Sequence, residues 1–149
     1  MRSRDDLKNI LRFAVDPDAQ TTGGRITLTL LDVEQIMGEG RLDSSGRASE
    51  NARRIKRPAR RAAEEDLGWW DLAQGSYWVA YNERVDVPDG HLLLIQPHVS
   101  LMKNGLWHPT VAVEDWDSQM EGMLLLVSSR GVMVSENAPL SVATLVRLG

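Results

Sequence analysis

The chain of 149 residues contains no cysteine. That absence excludes a disulfide framework, a thiolate metal site and a cysteine nucleophile. Histidine is also scarce, and His91, His98 and His108 are dispersed too widely for a zinc motif. Long apolar runs are missing as well. None approaches the ~20 residues of a membrane-spanning helix, and the charged N-terminus lacks the apolar region of a signal peptide. The expectation is a soluble, cytoplasmic protein with no membrane partner. There is no excess of positive charge either. The formal net charge of −4 speaks against nucleic-acid affinity of the whole protein, although charge is unevenly spread. The length suits one ordinary domain, residues 1–149, which can bury a core without metals or disulfides.

What is present is mostly short, strand-like segments. Residues 3–15 form the clearest helix candidate, with Ser3 and Asp6 spaced as a capping box and Leu7, Ile10 and Leu11 on one face. After Gly23-Gly24, Ile26, Leu28 and Leu30 alternate with Thr27 and Thr29, which predicts a strand over 25–32. Residues 39–67 shift to charge, Ser and Ala, and read as a charged insertion. Its run Asn51-Ala-Arg-Arg-Ile-Lys-Arg-Pro-Ala-Arg-Arg is basic, but acids follow at once and no aromatic side chain is interleaved for base stacking. The preferred reading is a solvated insertion or a helical segment broken near Pro58, with nucleic-acid binding the lesser alternative.

From Trp69 onward the pattern is β. Strands are expected at 76–81, 91–96, 107–113, 123–128, 131–135 and 140–148, separated by Gly- and Asn-containing breaks. The fold class is therefore all-β, a sandwich, jelly roll or barrel with one short N-terminal helix. The five tryptophans read as core or contact residues rather than stacking platforms.

Two polar turns carry the chemistry. The first is Pro97-His98-Val99-Ser100-Leu101-Met102-Lys103-Asn104-Gly105, and the second is Glu114-Asp115-Trp116-Asp117-Ser118-Gln119-Met120-Glu121-Gly122. Imidazole, hydroxyl and ammonium in one turn, with carboxylates in the other, suit a phosphorylated ligand and an activated water. From the residues alone, Asp117 reads as a base or as a solvated turn residue. His98 could as well cap a strand end, and Ser100 could be a turn-forming hydroxyl.

The order and spacing of these turns resemble the dUTPase and dCTP deaminase superfamily, in its archaeal dUTPase-like form, over most of the chain. Gly24-Arg-Ile-Thr-Leu-Thr-Leu is similar to the family's opening segment, and residues 68–83 followed by Val87-Pro-Asp are similar to its approach to the first motif. That motif typically reads Pro-Arg-Ser-Ser-Leu, then Gly, where this chain has His98 for the arginine and Val99 for one serine. The second typically reads Trp-Asp-Pro-Gly-Tyr-Glu-Gly, where this chain has Ser118, Gln119 and Met120 for Pro, Gly and Tyr.

The resemblance implies a distorted β-barrel or jelly roll and hydrolysis of a deoxynucleoside triphosphate, dUTP or similar, to monophosphate and pyrophosphate. It implies Asp117 as general base, His98, Ser100 and Lys103 as phosphate neighbours, and Gly105 to His108 with Met120 lining the base pocket. It also implies Mg2+ carried with the triphosphate and a homotrimer whose sites combine motifs from different chains. A neutral imidazole cannot replace the permanent, forked contact of arginine, and Val99 deletes a hydroxyl. A catalytically inactive nucleotide-binding or structural relative is therefore the alternative. Deamination is disfavoured, because Val127 stands where that branch carries its catalytic glutamate.

Overall fold

The computed structural model describes residues 3–46 and 49–149. Helix α1 spans Arg4–Ile10 and opens on the expected capping box. Ser3 Oγ accepts from the Asp6 N–H at 3.2 Å, while Asp6 Oδ2 accepts from the Ser3 N–H at 3.3 Å. The helix is shorter than its periodicity predicts. Leu11 leaves helical geometry to pair with Val85, joining β1 (Leu11–Arg12) to a distant two-residue strand, and Phe13 turns the chain with φ of +59°. Tertiary pairing overrides local propensity there. A short turn of helix, α2 (Pro17–Gln20), follows.

Strand β2 (Ile26–Met37) is the spine of the molecule and runs further than the predicted 25–32. β10 (Pro139–Arg147) flanks its first half, and β3 (Arg53–Arg57) continues on that side along its second half. β4 (Trp69–Tyr81) covers the opposite edge. The basic run within residues 51–61 thus forms an extended strand, which corrects the helical alternative. Pairing with β2 from Val33 to Met37 satisfies the backbone groups on its inner edge, and alternation sends its long cationic side chains to both faces.

The remaining elements are β5 (Arg84–Val85), β6 (His91–Pro97), α3 (Val99–Lys103), β7 (Leu106–Trp107), β8 (Val111–Val113), α4 (Trp116–Gln119) and β9 (Met123–Ser135). The predicted 107–113 strand is divided at His108 and Pro109, whereas the expected break at Arg130-Gly131 lies inside β9. β9 accommodates it by a register shift opposite Ala73 to Gly75. One mainly antiparallel sheet runs β7-β9-β4-β2-β10-β6-β8, with β3 added beside β2, and curls into a half-barrel. The all-β fold class holds. No helix among the described residues is long and apolar enough to cross a membrane.

The concave side is filled by Ile26, Leu28, Leu30, Val33, Val79, Leu93, Ile95 and Leu125, all essentially inaccessible. Each such side chain contributes about 1.5–3 kcal/mol relative to exposure. Of the tryptophans, Trp70 is buried at 4% exposure, whereas Trp107 stands half in solvent at 50%. Two polar clusters are embedded in this apolar mass. Glu83 accepts hydrogen bonds from the Thr29 N–H and the Gln20 amide, both at 2.8 Å, and from the Thr29 hydroxyl. The second cluster lies under the candidate site.

Candidate active site

The β6–β10 register places Ser141 opposite Pro97, and the His98 N–H continues the ladder to the Leu140 carbonyl at 2.8 Å. That pairing fixes where the first turn leaves the sheet. The chain then forms α3, with His98 as its N-cap: Nδ1 accepts from the Ser100 N–H at 3.1 Å and lies 2.8 Å from Ser100 Oγ. An Nδ1 that accepts from an amide carries no proton, so the ring's proton sits on Nε2. The Ser100 hydroxyl then donates to His98, leaving its lone pairs for other donors. The cap expected at His98 is present, and it caps a helix rather than a strand end.

Lys103 is exposed in the last turn of α3. Gly105 adopts φ of +72°, and a Cβ there would come within 2.7 Å of the Ser129 side chain. Its carbonyl accepts from the Ser128 N–H at 2.8 Å and the Ser128 hydroxyl at 2.9 Å, locking the turn onto β9. Conformation and space both require glycine at this position. The segment after it divides: Trp107 faces solvent, while His108 turns inward at 1% exposure. The reading of residues 105–108 as a continuous pocket lining therefore does not extend to His108 within this chain.

His108 Nδ1 lies 2.7 Å from the Pro109 carbonyl, its Nε2 2.8 Å from Ser141 Oγ, and Ser141 Oγ 2.5 Å from the Tyr81 hydroxyl. The carbonyl can only accept, so Nδ1 donates, Nε2 accepts from Ser141, and Tyr81 donates to Ser141. Burial pushes the His108 pKa below its ordinary 6.5, against the opposing effect of the Pro109 and Leu140 carbonyls. The unfolded chain consequently binds a proton before the native one does. The His108 contribution to stability is expected to be level above about pH 6.5 and to fall below it, until the native histidine also protonates. Urea titrations across that range check this. The loss should be smaller in His108→Gln, and an unchanged slope in that variant refutes the assignment.

The second turn forms α4. The Gln119 side chain closes it: Oε1 accepts from the Glu114 and Asp115 N–H groups at 2.7 and 3.0 Å. Ser118 Oγ donates to Asp115 at 2.8 Å. Met120 is half-buried and packs against the core, and Trp116 leans on Tyr81 with ring centroids 6.3 Å apart. Tyr81 thus touches the second turn with its ring, while its hydroxyl joins Ser141 beneath the first. Asp117 is exposed, and its Oδ2 accepts from Arg84 at 2.8 Å.

Arg84 is the residue that sequence reasoning missed. It comes from β5, 33 positions upstream of Asp117, and no local signal marks it. Arg84 also pairs with Asp86, which in turn holds Arg12, so Asp117 ends an exposed chain of alternating charges. Within one chain His98 and Ser100 are brought together, and Asp117 is bonded to Arg84 rather than to either of them. Among the described residues, no group of three or more carboxylates or imidazoles could cage a metal ion.

No family model matches the chain. It is 30% identical over 134 residues to a protein of Methanosarcina acetivorans named "Probable deoxyuridine 5'-triphosphate nucleotidohydrolase", covering 87% of this chain and 74% of that one. A protein of Methanosarcina mazei with the same name is 29% identical over 133 residues, covering 87% and 73%. Among solved structures, the 2'-deoxycytidine 5'-triphosphate deaminase of Agrobacterium tumefaciens superposes with a TM-score of 0.60 at 14% identity. That match takes in 95% of this chain but only 44% of the deaminase, and it speaks to the fold alone.

Proposed function

This chain belongs to the dUTPase and dCTP deaminase superfamily, and from that premise we propose that it hydrolyses dUTP or a related deoxynucleoside triphosphate to the monophosphate and pyrophosphate. The observation that carries the reading is Asp117 held on Oδ2 by Arg84 in the gap-free match to the family's second motif. Arg84 orients the carboxylate, and Oδ1 takes the proton from a water attacking in line at the α-phosphorus. The α–β bridging oxygen leaves with pyrophosphate. The substrate is the Mg2+ complex, its ion carried by the phosphates. His98 Nε2–H and Lys103 donate to the phosphates, and Ser100 holds His98 in place. Gly105 and Met120 border the base.

A homotrimer with composite sites accords with this geometry. Val99, Met102 and Trp107 expose 54%, 70% and 50% of their surface around the first turn, an apolar rim suited to a second copy. The other reading is a nucleotide-binding relative without turnover, favoured by the mutual bonding of His98 and Ser100. Pyrophosphate release from Mg2+-dUTP is the deciding assay. Asp117→Asn should lower the rate by about 10²–10⁴-fold. Wild-type release no greater than the variant's rejects hydrolysis, and tight calorimetric binding of a nonhydrolysable analogue then supports the binding protein.

A further inference from the structure

Strand β3 sorts its charges by face. On one side Arg54 stacks over the Trp78 ring at 5.0 Å and pairs with Glu121 at 3.1 Å, while Lys56 pairs with Asp32 at 3.2 Å. That side is neutralised. On the other lie Arg53, Ile55 and Arg57. Among the described residues Arg53, Arg57 and the nearby Arg60 make no ion pair, whereas Arg61 pairs with Glu136 at 3.2 Å.

Beyond Pro58 the chain bends back onto the start of β4. Arg60 and Trp69 form an antiparallel bridge, exchanging N–H to carbonyl bonds of 2.8 and 2.7 Å. Residues directly opposed in such a bridge project to the same side, so a free guanidinium stands beside a half-buried indole. The Trp70 indole N–H donates to the Arg57 carbonyl at 2.7 Å, anchoring the second free arginine to the same wall. Together with Arg61 these residues line a cleft of about 930 Å³. Two carboxylates, Glu65 and Asp71, also line it, equal in number to Arg57 and Arg60, since Arg61 is paired with Glu136; neither carboxylate forms an ion pair with these two arginines. The volume lies in the range of small-ligand sites, ~300–1,000 Å³. None of its lining residues belongs to either motif turn.

Guanidinium groups without an ion pair beside a flat indole suit a phosphate joined to a planar ring. We propose that this cleft is a second, non-catalytic binding site for a nucleotide unit, with phosphate on Arg57 and Arg60 and the base against Trp69. The basic run lacks interleaved aromatic residues in sequence, and the fold supplies one by pairing it with β4. A free nucleotide and a single strand of nucleic acid share this chemistry. The proposal is independent of turnover at Asp117.

Fluorescence anisotropy of a labelled thymidine dodecanucleotide on the 149-residue chain tests it, with dTMP as competitor. Binding should weaken as salt rises. Arg57→Glu/Arg60→Glu should weaken it at least about tenfold, and Trp69→Leu by about three- to tenfold. Lys56→Glu changes charge on the opposite face and should alter binding less than about twofold. Displacement by dTMP assigns the cleft to free nucleotides, and its failure assigns it to a polymer. Arg57→Gln/Arg60→Gln, checked by thermal melting against wild type, separates lost contacts from lost fold. No binding of either probe, binding retained in the double variant, or an equal loss in Lys56→Glu overturns the proposal.

Discussion

Glu83→Ala is expected to cost about 3–4 kcal/mol of unfolding free energy, measured by urea titration at neutral pH. The carboxylate is 3% exposed and is held by neutral donors: the Thr29 N–H, the Thr29 hydroxyl and the Gln20 amide. Its removal leaves these groups in a pocket closed to water, each at a penalty of about 1–3 kcal/mol. The Thr29 hydroxyl also accepts from Asn82 at 2.9 Å, and Asn82 bonds Asn137 at the same distance, so the disturbance spreads to the turn before β10. Glu83→Gln keeps one acceptor oxygen but turns an amide donor toward other donors, and should fall between wild type and Glu83→Ala. A loss below about 1 kcal/mol in Glu83→Ala contradicts the account, because it would mean the donors find new partners.

The second large effect belongs to the glycine that ends α4's turn. A Cβ on Gly122 would lie 2.5 Å from Trp78 Nε1 and 2.8 Å from the Val79 carbonyl oxygen. Neither neighbour can retreat: Arg54 covers the indole, and Val79 sits between β2 and β9 in the middle of the sheet. Gly122→Ala should therefore cost about 2–3 kcal/mol through overpacking, read as a lowered melting temperature. It should also depress turnover, because the strain enters five residues from Asp117. Gly90→Ala supplies the contrast. Its φ is +73° but nothing lies within 4 Å of the place a Cβ would take, so only the left-handed backbone cost of about 1–2 kcal/mol applies. Equal melting temperatures for the two variants refute the steric argument.

Much of the fold was legible because its cues are local. The Ser3–Asp6 box, the Thr-Leu alternation of β2 and the apolar run of β6 each follow from residues within a few positions. Expectation and fold part where a distant strand decides the outcome. Leu11 is helical by pattern and extended in fact, because Val85 offers it a backbone partner. The arginine run becomes β3 because the second half of β2 presents an open edge.

The candidate site divides in the same way. Asp117, His98 and Ser100 stand out by spacing, since each motif is a single short turn. Arg84 does not, and neither does the Tyr81–Ser141–His108 chain, whose members come together only when β4, β10 and the segment after β7 pack. Gln119 is a middle case. It closes the turn by accepting two amide protons through its own side chain.

The composition of β3 bears on how copies of this chain can meet. Among the described residues β3 has β2 as its strand partner, which leaves its outer edge open with four cations in five residues. Two such edges laid side by side would set like charges about 5 Å apart. Fibre-like growth by strand addition is thereby repelled at this border.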